Sequence, residues 1–351
     1  MKEKGLKLLF TLGVAWIGGL LFSKLSIPVP WLLGPIAFVL IGSTIKRSLF
    51  YWPKQIKSVG MIVIGYTIGL ALTKDAVTAI GHQLPYMFGM TMLLILLSAA
   101  VAFLVSKVSN TNYPTALLAS IPGGMTQIIL MAEEMKGVNL TIVTVTQTIR
   151  LMLIVIGMPL ILAGLGESSA AQNVSNAIQP HINYPTVIVL ILCVIFSFLG
   201  KKIKFPTAFL LVPALVTAIA QGFGMQAVDL PPSTLQFAQV LIGINIGLMM
   251  RPGELENKTK TLSLAFFSGM LIFITAMFLG IFFAEINNFD LPTALLSLAP
   301  GGMDQMGAIA HAIHADLSMV AGYQVFRAFF ILFIIQPVLS YILQKKGLIS
   351  K

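Results

Sequence analysis

The chain has 351 residues, of which 57% are hydrophobic and 10% are charged. Because soluble domains carry about 25% charged residues and apolar runs of about 17–25 residues span a bilayer, this composition excludes a soluble enzyme, a disordered regulator and a disulfide scaffold. The net charge of +10 reflects the enrichment of Lys and Arg in cytoplasmic loops of membrane proteins, so it does not indicate a nucleic acid partner. The sequence therefore predicts an all-α integral membrane protein embedded in the lipid bilayer.

Apolar runs predict about ten transmembrane helices, five in each half of the chain. They cover residues 6–22, 28–43, 58–73, 84–106 and 140–163, then 184–199, 205–220, 234–250, 261–284 and 318–342. Two further segments, 112–135 and 290–313, are interrupted by Pro-Gly-Gly, which a continuous helix tolerates poorly. Each of these is either a broken span or a re-entrant hairpin.

An internal duplication organises the chain. Residues 113–127 match residues 291–305 at 10 of 15 positions, at an offset of 178 residues. The same offset pairs two prolines and two glycines of the first half with identical residues of the second: Pro28 with Pro206, Pro35 with Pro213, Gly65 with Gly243, and Gly69 with Gly247. We therefore divide the chain into a first repeat at 1–163, an external linker at 164–183 and a second repeat at 184–351.

The distribution of basic residues decides between hairpins and spans. If both interrupted segments are hairpins and the N- and C-termini are cytoplasmic, 18 basic residues fall inside, and only Lys24 and Lys74 fall outside. If both segments cross, the count becomes 11 inside and 9 outside. The positive-inside rule favours hairpins, and five spans per repeat then invert the second repeat relative to the first. Inverted repeats with discontinuous helices at the midplane are typical of secondary transporters.

The Pro-Gly-Gly tips are candidates for solute binding. Glycine at a helix break exposes backbone amides, and the amides that start the following helix present the positive end of its dipole. The alternative is a tight turn under close helix packing. The candidate residues are Gly123, Gly124 and Gln127 at the first tip, and Gly301, Gly302 and Gln305 at the second.

Two arginines are predicted near the middle of the bilayer. Arg150 and Arg327 each follow a glutamine by three residues, so Gln147 and Gln324 share their helix faces. A buried charge there costs at least about 2.5–3.5 kcal/mol and therefore implies a partner. The guanidinium groups either bind the carboxylate or phosphate of a solute or clamp the hairpins through Asp304 or hairpin carbonyls.

Asp304 is the one acidic residue that this topology places inside the membrane, and Thr126 is its counterpart in the first repeat. It could carry a coupling proton, ligate sodium or neutralise an arginine. Asn245, in the segment between Gly243 and Gly247, could add an ion ligand, although small residues there also serve helix packing. These three polar residues are the candidate ion-coupling set.

The two motifs together resemble the AbrB-type membrane protein family, whose members carry a duplicated domain with a Pro-Gly-Gly-Met tip followed by Gln-x-x-Arg. The resemblance covers essentially the whole chain. It rests on Pro122–Gln127 with Arg150 in the first repeat and on Pro300–Gln305 with Arg327 in the second. Members are labelled as ammonia monooxygenase or as regulators of gene expression. The chain shows no copper-ligand cluster and no cytoplasmic segment large enough for a DNA-binding module.

From these features we predict an ion-coupled secondary transporter of a small anionic organic solute that works by alternating access in the cell (inner or plasma) membrane. No nucleophile–base pair, phosphate loop or metal cluster is evident, so no enzyme and no cofactor are expected, with Na⁺ or H⁺ as candidate coupling ions. The alternatives are a membrane sensor that affects gene expression indirectly, a channel and a membrane enzyme. The oligomeric state is open between a monomer and a homodimer.

Overall fold

The structure is a computed structural model that describes residues 2–109, 111–122, 128, 132, 135, 137–165, 183–203, 205, 207–249 and 258–339. These residues form helices and no β-strand. The helices of the first half are α1 (Lys2–Lys24), α2 (Pro30–Ile45), α3 (Lys54–Ala71), α4 (Lys74–Ser109), α5 (Tyr113–Ser120) and α6 (Leu140–Gly164). Those of the second half are α7 (Tyr184–Lys202), α8 (Ala208–Gly222), α9 (Pro232–Gly247), α10 (Lys258–Asn287), α11 (Leu291–Leu298), α12 (Met303–Ala312) and α13 (Leu317–Phe330).

Six of these helices are long and apolar enough to cross a membrane: α1, α4, α6, α7, α10 and the helix that starts at Leu317. The other four predicted spans correspond to α2, α3, α8 and α9, which have 15–18 residues and are therefore about 22–27 Å long. The prediction for α4 was too short. It has 36 residues, about 54 Å, because the polar residues before Pro85 continue the helix.

The helix boundaries repeat with the offset found in the sequence. α2, α3 and α5 begin at residues 30, 54 and 113, and α8, α9 and α11 begin 178 residues later. The caps repeat too, since Asn112 and Asp290 each accept a hydrogen bond from the backbone amide three residues on. The residues that precede α2 and α8, Val29 and Thr207, both have left-handed backbone conformations. The duplication therefore extends from the sequence to the local geometry.

The described residues divide into two compact units, and each unit contains helices from both halves of the chain. We call Met1–His82, Pro159–Met249 and Gly307–Met319 the glycine-packed unit. We call Gln83–Met158, Met250–Met306 and Val320–Lys351 the arginine unit. Neither unit therefore corresponds to a single half of the sequence.

Close contacts between helix backbones hold the glycine-packed unit together. A Cβ at Gly65 would overlap the carbonyl oxygen of Leu210, and one at Gly69 would lie 2.5 Å from that of Ala214. The contacts between α3 and α8 thus advance in the same direction along both helices, which indicates that the two helices run in parallel.

The equivalent contacts join α9 to α2. A Cβ at Gly243 would lie 2.7 Å from the carbonyl oxygen of Leu32, and one at Gly247 would lie 2.9 Å from that of Ile36. Every residue in this second set is the counterpart of one in the first set. A contact from residue i to residue j that recurs with the two halves exchanged is the signature of a two-fold relation.

In the arginine unit too, helices of the first half of the chain pack against helices of the second half. Gly269 of α10 faces the backbone of Arg150 in α6, and Gly157 of α6 faces the ring of Phe273 in α10. In the other pair, α4 packs on α13, and the ring centroids of Phe88 and Phe330 are 5.4 Å apart. Helices from opposite halves therefore pack together in both units.

Candidate functional site

The second broken helix contains two short helices separated by four residues. α11 and α12 have 8 and 10 residues, so each is about half as long as a bilayer core is thick. Between them, the carbonyl of Ala299 accepts a hydrogen bond from the amide of Gly301 at 2.8 Å. The carbonyl of Gly302 accepts the first bonds of α12. The predicted interruption at Pro-Gly-Gly is present.

Side chains from α13 satisfy the exposed carbonyl end of α11. The amide of Gln324 donates to the carbonyls of Leu296 and Ala299, at 2.7 and 3.2 Å. The guanidinium of Arg327 donates to the carbonyl of Leu298 at 3.1 Å and to the side-chain oxygen of Gln324. The carbonyls of Leu296 and Leu298 belong to the last turn of α11, where no intrahelical donor reaches them, and Ala299 is the C-cap residue that follows.

The first repeat has the same arrangement. Gln147 donates to the carbonyls of Leu118 and Ile121, at 2.8 and 3.2 Å. Arg150 donates to the carbonyls of Ser120 and Ile121, at 3.2 and 3.0 Å, and to the side-chain oxygen of Gln147 at 2.6 Å. A guanidinium supported by a glutamine thus binds the carbonyl end of α5 in the first repeat and of α11 in the second.

Both guanidinium groups are buried and keep their charge partly uncompensated. Arg150 is 4% exposed and Arg327 is 6% exposed. Their contacts in the described part of the chain are with carbonyl and amide oxygens, and no carboxylate is among them. The Nε atom of Arg150 has no hydrogen-bond partner among the described residues. The arginine unit therefore contains buried positive potential.

Asp304 and Gln305 lie in the first turn of α12, and both are buried. A Cβ at Gly302 would overlap the side-chain oxygen of Gln305 and lie 2.8 Å from Oδ1 of Asp304. Both side chains therefore fold back over the same backbone position, which only glycine leaves open.

The sequence matches the family described as "Transition state regulatory protein AbrB" over residues 31–343. This chain belongs to that family. It is 25% identical over 358 aligned residues to "Uncharacterized protein YhjN" of Bacillus subtilis (strain 168), with 95% of this chain and 93% of that protein covered. It is also 26% identical over 315 residues to "Putative regulator AbrB" of Escherichia coli (strain K12), with 89% of each chain covered.

The region shared with the AbrB family contains both broken helices and both arginines. The structure brings together Gln147 with Arg150, Gln324 with Arg327, and Gly302 with Asp304 and Gln305. Gly301 lies at the same tip, where a Cβ would meet the Met306 side chain at 2.8 Å. The remaining candidates at the first tip, Gly123, Gly124, Thr126 and Gln127, lie outside the described residues.

Asn245 does not join these residues in one unit. It lies on α9 of the glycine-packed unit and is half-buried, whereas Arg150, Asp304 and Arg327 belong to the arginine unit. In this AbrB-family chain, the segment from Gly243 to Gly247 packs against the backbone of α2, as described above. The packing alternative for that segment is therefore an observed feature.

Sequence reasoning did not single out three buried serines of the arginine unit. The hydroxyls of Ser120, Ser268 and Ser297 are buried without a hydrogen-bond partner among the described residues. Ser120 and Ser297 lie in the last turns of α5 and α11, next to the carbonyls that the arginines bind. Their place just before the Pro-Gly-Gly motifs is the signal that could have identified them.

Proposed function

We propose that the chain is an ion-coupled secondary transporter of a small anionic organic solute. In this proposal it spans the cell (inner or plasma) membrane ten times, with two re-entrant hairpins and with both termini in the cytoplasm. The six long apolar helices support a multi-pass membrane protein. The carbonyl ends of α5 and α11, each bound by a buried arginine just before a Pro-Gly-Gly motif, are the observation that carries the proposal.

The buried charges favour an anion as the solute. A guanidinium in the membrane interior is costly, and such residues commonly mark substrate or ion pathways. Here two guanidinium groups are buried in the same unit, so a negatively charged ligand near them lowers the electrostatic energy. Arg150 Nε and the hydroxyls of Ser120 and Ser297 are donors available to a carboxylate or phosphate.

We assign solute binding to the two tips and to the Gln-x-x-Arg pairs, as predicted from the sequence. The observed carbonyl contacts also fit the clamp role that the sequence left open. The two roles are compatible, because a guanidinium that holds the end of a broken helix also places its charge beside the tip. The substitutions that separate the roles are given in the Discussion.

The packing directions support an inverted arrangement of the repeats. Consecutive spans cross a membrane in opposite directions, so α2 and α3 oppose each other in the ten-span topology. Because α3 runs in parallel with α8, α8 crosses in the direction opposite to that of α2, its counterpart in the first repeat. Inverted counterparts of this kind, with discontinuous helices, are typical of secondary transporters.

Alternating access also needs two bodies that can rearrange, and in this proposal the two compact units have that role. The chain passes from one unit to the other within four helices, and two of these crossings are near a proline: in α4 near Pro85 and in α6 at Pro159. Proline inside a helix removes a backbone hydrogen bond and allows a bend. These two positions are suited to act as hinges.

Counterflow in proteoliposomes tests this proposal. Vesicles that contain the purified protein are loaded with one unlabelled organic anion, and uptake of the same labelled anion is followed across a panel of mono- and dicarboxylates. We expect saturable exchange for at least one member, absent from protein-free vesicles. Unsaturable flux would indicate a channel, and no exchange for any anion would reject the transporter.

The family description and the name of the Escherichia coli relative favour a second candidate function, that of a membrane regulator. A sensor needs ligand binding and a conformational response but no solute movement across the membrane. A solute that stabilises the purified protein against heat, yet is not exchanged by proteoliposomes, would support the sensor over the transporter.

A further inference from the structure

The tip of the second broken helix contains oxygen atoms that the arginines do not engage. Gln305 is 2% exposed, and its side-chain oxygen has no hydrogen-bond partner within the described part of the chain. This oxygen and Oδ1 of Asp304 both fold back over Gly302, within 2.8 Å of the position that a Cβ would occupy. The two oxygens are therefore close enough to share one ligand.

A buried acceptor without a donor is unfavourable, so a hydrogen-bond donor or a cation is expected there. Hard cations take oxygen ligands from carboxylates, amides and backbone carbonyls. Among the described residues, the carbonyls of Pro300 and Gly301 accept no backbone hydrogen bond. These carbonyls belong to the unwound tip, and unwound backbone of this kind coordinates sodium in discontinuous membrane helices.

The charge of Asp304 is necessary for this chemistry. The N-terminus of α12 presents a positive dipole end, which disfavours a cation unless a negative side chain lies beside it. The first repeat has Thr126 at the equivalent position and so lacks that negative charge. The arginine clamps are duplicated, whereas this carboxylate is not, so the two tips differ in the ligand they can hold.

We propose that Asp304 and Gln305, together with the carbonyls of Pro300 and Gly301, form a sodium site at the second tip. Its role as the coupling site rests on the proposed transport function, but binding of the ion does not require transport. Gly302 provides the space for the two side-chain oxygens above the backbone. The first tip binds no sodium.

Binding of ²²Na⁺ to the purified protein in detergent tests the site directly. We expect saturable binding of one ion per chain that excess choline does not displace. In parallel, Na⁺ should raise the temperature of thermal unfolding relative to choline at equal ionic strength, since a ligand of the native state stabilises it. Asp304→Asn and Gln305→Leu should each raise the half-saturating Na⁺ concentration by at least about tenfold.

The matched control is Asp290→Asn, which removes an acidic residue from the same broken helix. Asn112 occupies the equivalent cap in the first repeat, so this variant should retain the cap and the full Na⁺ response. Equal Na⁺ responses in the wild-type protein and in both tip variants would overturn the proposal. If the tip variants fail to fold, absence of ²²Na⁺ binding to the wild-type protein would overturn it instead.

Two further outcomes separate this inference from the transport function. Saturable solute exchange by a protein that binds no ²²Na⁺ would reject the sodium site and leave the transporter intact. One bound ²²Na⁺ per chain without exchange of any solute would support the site and reject transport. Stabilisation by acid alone, with no effect of Na⁺, would assign Asp304 to a proton and overturn the sodium assignment.

Discussion

The two compact units of this protein bring their helices together by opposite means. In the glycine-packed unit, α3 meets α8 and α9 meets α2 where glycines expose bare backbone. In the arginine unit, long polar side chains reach from α6 and α13 to the ends of broken helices. Glycine contacts occur in both units, as at Gly269 in the arginine unit, but among the described residues only the arginine unit adds buried charged side chains at its helix ends.

This contrast separates a region held by close backbone packing from a region that contains buried charge. Contacts between backbones tolerate almost no change in volume, because dense interiors transmit strain. Broken helices in an apolar interior have unpaired carbonyls that need donors, and those donors carry charge that can serve a solute. We therefore expect substitutions in the two units to fail in different ways.

The largest effect is expected for Gly65→Leu in the glycine-packed unit. Its Cβ would overlap the Leu210 carbonyl oxygen, which belongs to the backbone and cannot move alone. The unfolding free energy should fall by about 3 kcal/mol or more. Gly13→Leu in the same unit is the control, since nothing lies within 4 Å of its Cβ, and its thermal unfolding should be unchanged. Similar unfolding temperatures for the two variants would contradict the packing account.

A smaller loss is expected for Arg327→Ala or Arg150→Ala. Each removes the guanidinium donors from buried acceptors, some of which keep a glutamine donor, so the loss should be about 1–3 kcal/mol. Arg47→Ala is the control, because Arg47 also donates to a carbonyl, that of Leu248, but is exposed. Thermal unfolding in detergent should rank Arg47→Ala as nearly wild type. If Arg150→Ala and Arg327→Ala both keep wild-type stability, the arginines do not stabilise the helix ends.

Lysine at the same positions separates clamping from solute binding. Arg150→Lys and Arg327→Lys keep the charge but lose the bidentate fork, so solute affinity should fall while folding survives. Unchanged counterflow in both lysine variants would end the binding role of the arginines.

The smallest effect on stability is expected for Gly302→Ala at the second tip. The new Cβ would displace the side chains of Gln305 and Asp304, both of which can rotate away. The free energy of unfolding should therefore fall by only about 1 kcal/mol. The Na⁺ response should nevertheless weaken, because the displaced oxygens are the proposed ligands. Gly89→Ala, at a position with nothing within 4 Å, should leave both quantities unchanged. A full Na⁺ response in Gly302→Ala would place the ion elsewhere.

Much of the fold follows from residues that the sequence makes visible. The offset of 178 residues predicts that α8 begins at the counterpart of α2, and the structure agrees. Gln147 and Arg150 are three residues apart, which places them on one helix face, and they do act on the same carbonyl end. These features are local or repeated, so periodicity and spacing are sufficient to find them.

Other features depend on tertiary contacts that the sequence does not encode locally. The pair Gly65 and Gly69 marks a surface for close packing but does not say that the partner is a helix of the other half. The continuation of α4 through Lys74 was missed because polar residues before Pro85 resembled a loop. The buried hydroxyls of Ser120 and Ser297 became apparent only when the helix ends were in place.

The inverted relation of the two repeats is the central claim, and cysteine accessibility tests it most directly. Ser48 lies between α2 and α3, and Met225 lies in the corresponding connection between α8 and α9; both are exposed. Cys193 is buried and would be replaced by serine to give a silent background. In membranes of known orientation, Ser48→Cys should react with an impermeant maleimide only from the cytoplasm and Met225→Cys only from outside. Labelling of both from the same side would contradict the inverted repeat and the transport mechanism built on it.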